Sequence, residues 1–160
     1  MQDGQQKVGR YGAMNQEYNK YYNEKLQQGI EYQDVVTTAL YQRGIVVVGY
    51  SSKKYQNEKG ENMLGAEIKR DGMFRSTGNL YIETSEKSNP DVLSFTKSGI
   101  NREDNSWLYV IGDEKTIYIF STKYLRMLEG KYKQVTKPTS IGFLFPIVDA
   151  EKYCIRKIEL

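Results

Sequence analysis

The segment GENMLGAEIKRDGMFRSTGNLYIE, residues 60–83, decides how this chain is read. From Ala66 to Asp71 polar and apolar residues alternate, which on a strand puts Glu67, Lys69 and Asp71 on one face and Ala66 and Ile68 on the other. After a turn within residues 72–78, Asn79, Tyr81 and Glu83 share a face opposite Leu80 and Ile82, so the pattern predicts a β-hairpin. If Asp71 pairs with Asn79, Lys69 lies across from Tyr81 and Glu67 across from Glu83. Directly opposed Cβ atoms are about 4.5–5.5 Å apart, so two carboxylates there repel unless positive charge lies between them. Lysine partly meets that need. A divalent cation meets it better, because Mg²⁺ takes one or two carboxylates together with phosphate oxygens and water. The plainer explanation is the solvated outer face of an antiparallel hairpin.

Towards the amino terminus, residues 1–28 are rich in Gln and Tyr and read as a helical extension, with Met14, Tyr18, Tyr21, Tyr22 and Lys25 at helical spacing. These tyrosines offer rings on which bases could stack, but a stripe at this spacing more often covers a core or a partner subunit, and a core is the reading adopted. Residues 29–160 form one α/β domain. It begins with a second helix, GIEYQDVVTTALYQRG, stopped by Gly44, with Glu31 and Asp34 in its first turns. IVVVGYSS follows as a buried strand and KKYQNEKGEN as a loop.

Beyond Glu83, NPDVLSFTKSG reads as a short helical or irregular body. SWLYVIGDEKTIYIFST reads as two strands apolar on both faces, joined by residues 112–115. Ser121 or Thr122 caps a helix ending at Gly130; TSIGFLFPIV is an edge strand limited by Pro146; and Asp149 caps a last helix carrying Cys154. The order predicts an α/β (α+β) fold in which a mixed central sheet is flanked by helices.

The bulk numbers narrow the chemistry. The chain has 160 residues and no histidine, which excludes Ser-His-Asp and Cys-His triads and the usual zinc signatures. Carboxylates, lysines and tyrosines remain, a set suited to a hard cation. The single cysteine makes no internal disulfide, and a buried inert thiol is expected. No apolar run of about 18 residues occurs and the amino terminus lacks an export pattern, so no membrane association and a cytoplasmic location are expected. The net charge of +3 is slight, but Lys53, Lys54, Lys59, Lys69, Arg70 and Arg75 surround the opening segment, and Lys131, Lys133 and Lys137 bracket Tyr132. No glycine motif that cradles phosphates is present.

Glu67-Ile68-Lys69 in LGAEIK, preceded by Glu61, resembles the Glu-x-Lys half of the PD-(D/E)XK nuclease superfamily, in the arrangement of mismatch-repair-type nicking endonucleases. The element order from Glu31 to Phe120 is similar to that superfamily's core. The resemblance implies a restriction-endonuclease-like core and Mg²⁺- or Mn²⁺-dependent hydrolysis of phosphodiester bonds in nucleic acid, DNA before RNA. Two frames stay open. In one, Glu61 leads and Glu67-x-Lys69 completes the motif, with Glu for the usual Asp and a short gap. In the other, Asp71 leads and Glu83 is the second acid, with Ser85 where lysine is expected and Lys87 or Lys69 substituting. Across both, the implied metal ligands are Glu61, Glu67, Asp71 and Glu83. Lys69 would orient or deprotonate water, Glu31 would assist, and Lys53, Lys54, Arg70 and Arg75 would contact phosphates. Such nucleases often act as two subunits, which makes the tyrosine helix a candidate homodimer surface. The alternative function is a non-enzymatic accessory module, including a degenerate nuclease core, that binds nucleic acid or protein.

Overall fold

The computed structural model describes residues 5–45, 65–104 and 106–160, with side chains from residue 19 onward. The expected strand at Ile45 and the loop after it, with Lys53, Lys54, Lys59 and Glu61, lie outside the described residues apart from Ile45 itself.

One helix, α1 (Gln5–Tyr41), replaces the two expected. Gly29 is tolerated inside it at a cost of about 1 kcal/mol, because strong helix formers flank it and no proline interrupts the run. The stop is as expected. Gly44 adopts φ 79°, and the Ile45 amide donates to the Leu40 carbonyl at 2.9 Å. Tyr32, Val36 and Leu40, four residues apart, form the buried stripe of α1. The tyrosines before them do not cover a core: Tyr21 is 58% exposed and Tyr22 46%. Among the described side chains the apolar cluster beneath α1 reaches back to Tyr32, short of Tyr21 and Tyr22.

Among the described residues eight strands form two four-stranded sheets, a mixed α/β architecture with the strands divided between two sheets. The first sheet has the order β1 (Ala66–Arg70), β4 (Leu108–Gly112), β5 (Thr116–Ser121), β8 (Arg156–Glu159). The second has the order β3 (Thr96–Lys97), β2 (Asn79–Glu86), β7 (Ser140–Pro146), β6 (Gln134–Thr136). Short helices α2 (Phe74–Thr77), α3 (Thr122–Leu128) and α4 (Ile147–Tyr153), and a 3₁₀ turn at Gly99–Asn101, complete the described elements.

The hairpin expected between β1 and β2 does not form. β1 pairs in parallel with β4, Glu67 beside Tyr109 and Lys69 beside Ile111, while β2 pairs antiparallel with β7, Tyr81 beside Leu144. The reason lies in which core each strand serves. Ala66 and Ile68 pack under α1 with Val110, Ile117, Ile119 and Ile158. Leu80 and Ile82 pack with Tyr109, Ile111, Phe120, Phe143 and Phe145 on the opposite side of the first sheet. Two strands whose apolar faces belong to different clusters cannot be neighbours in one ladder.

The hairpin of β4 and β5 forms as expected, with Leu108 paired to Ser121 and Gly112 to Ile117. Its two apolar faces are explained by α1 covering one and the second sheet the other. Ser121 caps α3, accepting from the Tyr124 amide at 3.3 Å.

Three C-terminal expectations are corrected. β7 is an inner strand between β2 and β6, and Pro146 is tolerated as its last residue. Asp149 does not cap α4; its carboxylate accepts from the Tyr132 hydroxyl at 3.0 Å. The last helix ends at Tyr153 and the chain returns as β8, an edge strand whose only inward apolar residue is Ile158. The Cys154 thiol is half-buried rather than buried, and burial raises its pKa. No helix among the described residues is long and apolar enough to cross a membrane.

Phe120 is the joint of the larger cluster, with its ring 6.3 Å from Tyr118 and 5.6 Å from Phe145. Phe120→Ala is expected to lower the free energy of urea unfolding by about 3–5 kcal/mol.

Candidate functional site

Among the described residues β1 is the first strand of its sheet, and its polar face meets β2 through Lys69 and Glu83. Glu67 on that face is fully buried, and a buried carboxylate needs compensating charge. Two cations supply it: Lys69 Nζ lies 2.9 Å from Glu67 Oε1, and Arg102 Nη1 lies 3.4 Å from Glu67 Oε2. The same Lys69 ammonium stands 3.5 Å from Glu83 Oε1 on β2. Glu83 Oε1 also accepts from the Ser98 hydroxyl at 2.8 Å. Arg102 reaches Glu86 as well, at 3.6 Å.

The 3₁₀ turn that carries this arrangement past β2 depends on Gly99. Its φ is 51°, and a Cβ there would overlap the Glu83 carbonyl, so the backbone can pass against Glu83 only where no side chain exists.

Asp71, just past the end of β1, makes the second link between the sheets. Its amide donates to the Gly112 carbonyl of β4 at 2.7 Å. Its carboxylate accepts from the Tyr81 amide of β2 at 2.8 Å through Oδ2 and from the Met73 amide at 2.9 Å through Oδ1. The carboxylate is thereby fixed beside the β2 backbone, two residues from Glu83.

Lys69, Asp71 and Glu83 line one cleft of about 840 Å³, whose far wall is α1 from Tyr21 to Gln33. Glu67 lies beneath the surface. Of the residues expected at the site, Glu67, Lys69, Asp71 and Glu83 are therefore brought together, although across a seam between sheets rather than along a hairpin. Arg70 lines the same cleft with its Nε 2.6 Å from Glu114 Oε1. Arg75 is drawn away to the β4–β5 turn, where its guanidinium binds both oxygens of Asp113 and donates to Thr116 Oγ1 at 2.7 Å. Glu31 is exposed on α1 and accepts from Gln27 Nε2 at 3.0 Å, outside the cleft lining.

Three contributors escaped the sequence reading. Arg102 and Ser98 come from the irregular segment after β2, which carries no periodicity to place them. Lys137, noticed only as part of a basic cluster, sits over the Tyr81 ring with its ammonium 3.4 Å from the centroid.

Burial raises the Asp113 carboxyl's proton affinity, but the Arg75 hydrogen bonds and the amides of Lys115 and Thr116, each at 2.9 Å, outweigh it and hold its pKa below the ordinary value. Burial drives the Tyr109 hydroxyl, next to the Glu67 strand, far above the usual tyrosine range. It is no proton donor or acceptor near neutral pH.

Among the described residues no group of three or more Asp, Glu, His or Cys side chains forms a metal-binding cluster. A closed protein cage therefore does not fit. Asp71 and Glu83 are carboxylates that line the open cleft. Asp71 spends one acceptor position per oxygen on backbone amides, leaving further lone pairs, and oxygen donors of this kind suit Mg²⁺ with retained waters. Comparison with protein-family models, curated proteins and solved structures finds no match for this chain.

Glu67→Gln leaves Lys69 and Arg102 without their buried counter-charge. Both reach solvent, so the expected loss is about 2 kcal/mol in urea unfolding, less than for a fully enclosed pair. For Asp113 the folded pKa is depressed, so its stabilisation is present above the ordinary carboxylate pKa and lost as pH falls below about 4. Arg75→Ala should destabilise at pH 7, and the difference from the parent protein should shrink at pH 3, checked by urea unfolding at both values.

Proposed function

We propose that this chain is a metal-dependent nuclease that hydrolyses phosphodiester bonds, in DNA, at the cleft between α1 and the seam of the two sheets. One observation carries the reading: Lys69, Asp71 and Glu83, from strands of different sheets, converge on one wall of a cleft large enough for a nucleotide. Asp71 and Glu83 are the residues that would hold Mg²⁺ or Mn²⁺. When bound, such an ion stabilises charge on phosphate oxygens and lowers the pKa of a coordinated water. Lys69 adds a fixed positive charge beside the scissile group, and Glu67 holds that ammonium in place from beneath. Glu67 thus acts as a positioning residue. Of the two sequence frames, this assignment uses Asp71 as the leading acid, Glu83 as the second, and Lys69 in place of the lysine that Ser85 does not supply.

A second reading has its own support. Lys69 and Arg102 already compensate Glu67, and Lys69 compensates Glu83, which is what a structural ion-pair network needs without any metal. On that reading the cleft binds nucleic acid and does not cut it.

Supercoiled plasmid separates the two. The nuclease should nick it in millimolar Mg²⁺ or Mn²⁺ and stop in EDTA. Asp71→Asn and Glu83→Gln should each slow nicking about 100-fold or more, with circular dichroism unchanged. Absence of metal-dependent nicking by the parent protein would exclude the hydrolase and leave the binding module.

A further inference from the structure

The wall of the cleft opposite the carboxylates has its own chemistry. Along α1 the cleft is lined by Tyr21 and Lys25, one turn apart, with the Lys25 ammonium 5.6 Å from the Tyr21 ring centroid. Tyr21 is 58% exposed, a large aromatic surface with no core to join. Facing it, Lys137 rests on Tyr81. The Tyr81 ring lies flat on β7, since a Cβ at Gly142 would come within 2.8 Å of it, and its hydroxyl is 3.0 Å from Ser140 Oγ. The ring is thus a fixed platform, and the ammonium it carries is held by a π face rather than a carboxylate.

We infer that the cleft takes an unpaired polynucleotide strand, with a base stacked on Tyr21 and flanking phosphates held by Lys25 and Lys137. This rests on the nucleic-acid reading above and adds the form of the substrate. In a duplex every base face is covered by its neighbours, leaving only edges and phosphates to read, so an exposed phenol ring finds no stacking partner. An unpaired strand presents bases to aromatic rings and phosphates to cations together, the combination found where single strands are bound without sequence preference. Cations on both walls of one narrow cleft suit a single chain running between them. The acids lining the cleft would oppose a polyanion unless Lys69 or a bound cation screens them, so Lys25 and Lys137 supply the attraction.

The test uses the full chain and fluorescein-labelled oligonucleotides in EDTA at low salt, so that binding is read apart from hydrolysis. Single strands of DNA and of RNA, and the blunt DNA duplex of the same sequence, are titrated by anisotropy. A single strand of either sugar should bind at least about tenfold tighter than the duplex. Tyr21→Ala should weaken that binding about tenfold, and Tyr21→Phe should not. Lys137→Ala should reduce the slope of log affinity against log salt by about 0.7, one phosphate contact. Tyr21 lies on an exposed stretch of helix, so its two variants do not test folding. Duplex binding as tight as or tighter than single-strand binding, or a Tyr21→Ala protein that binds like the parent, overturns the inference even if plasmid nicking is metal-dependent. Preferential strand binding without nicking removes the hydrolase alone.

Discussion

The Lys69 ammonium stands between Glu67 and Glu83, carboxylates that belong to different sheets, and much of the molecule is arranged around that contact. A carboxylate as deeply buried as Glu67 is tolerable only with compensating charge close by. That constraint is met where the polar face of β1 approaches β2. It also recruits Arg102 from the irregular segment and holds the 3₁₀ turn at Gly99 against the Glu83 backbone. Asp71 repeats the principle with backbone donors, bonding one sheet through its amide and the other through its carboxylate.

The apolar part of the fold is organised by the first sheet. Its strands are covered by α1 on one side and by Leu80, Ile82, Phe143 and Phe145 of the second sheet on the other. Alternate residues of β4 and β5 therefore serve different clusters, Val110 and Ile119 under α1, Tyr109 and Phe120 towards the second sheet. Among the described residues the cleft opens where the polar residues Lys69 and Asp71, at the end of β1, meet Glu83 of β2. The candidate site thus lies where polar residues of the two sheets meet.

The long helix α1 has two roles along its length. From Tyr32 to Leu40 it covers the sheet; from Tyr21 to Gln33 it forms a wall of the cleft. Tyr21, which joins no core among the described residues, is exposed and lines the cleft. The same helical spacing serves both roles, which is why spacing alone assigned the tyrosines to a core.

The sequence by itself determined the elements whose cause is local. The β4–β5 hairpin shows in its unbroken apolar runs, the α3 cap in Ser121, and the end of α1 in Gly44. It also determined that any site must be built without histidine, from carboxylates, lysines and tyrosines. Alternation placed Glu67 and Lys69 on one face correctly, because side chains on a strand point up and down whatever its partner. Only the tertiary structure decided who that partner is. β1 beside β4 rather than β2, β7 inside its sheet, and β8 at the end all depend on which distant apolar faces share a core. A strand's own residues specify its two faces but not the neighbour that completes them. For the same reason Arg102, Ser98 and Lys137 became visible only in three dimensions, where segments far apart in the chain meet at a single cleft.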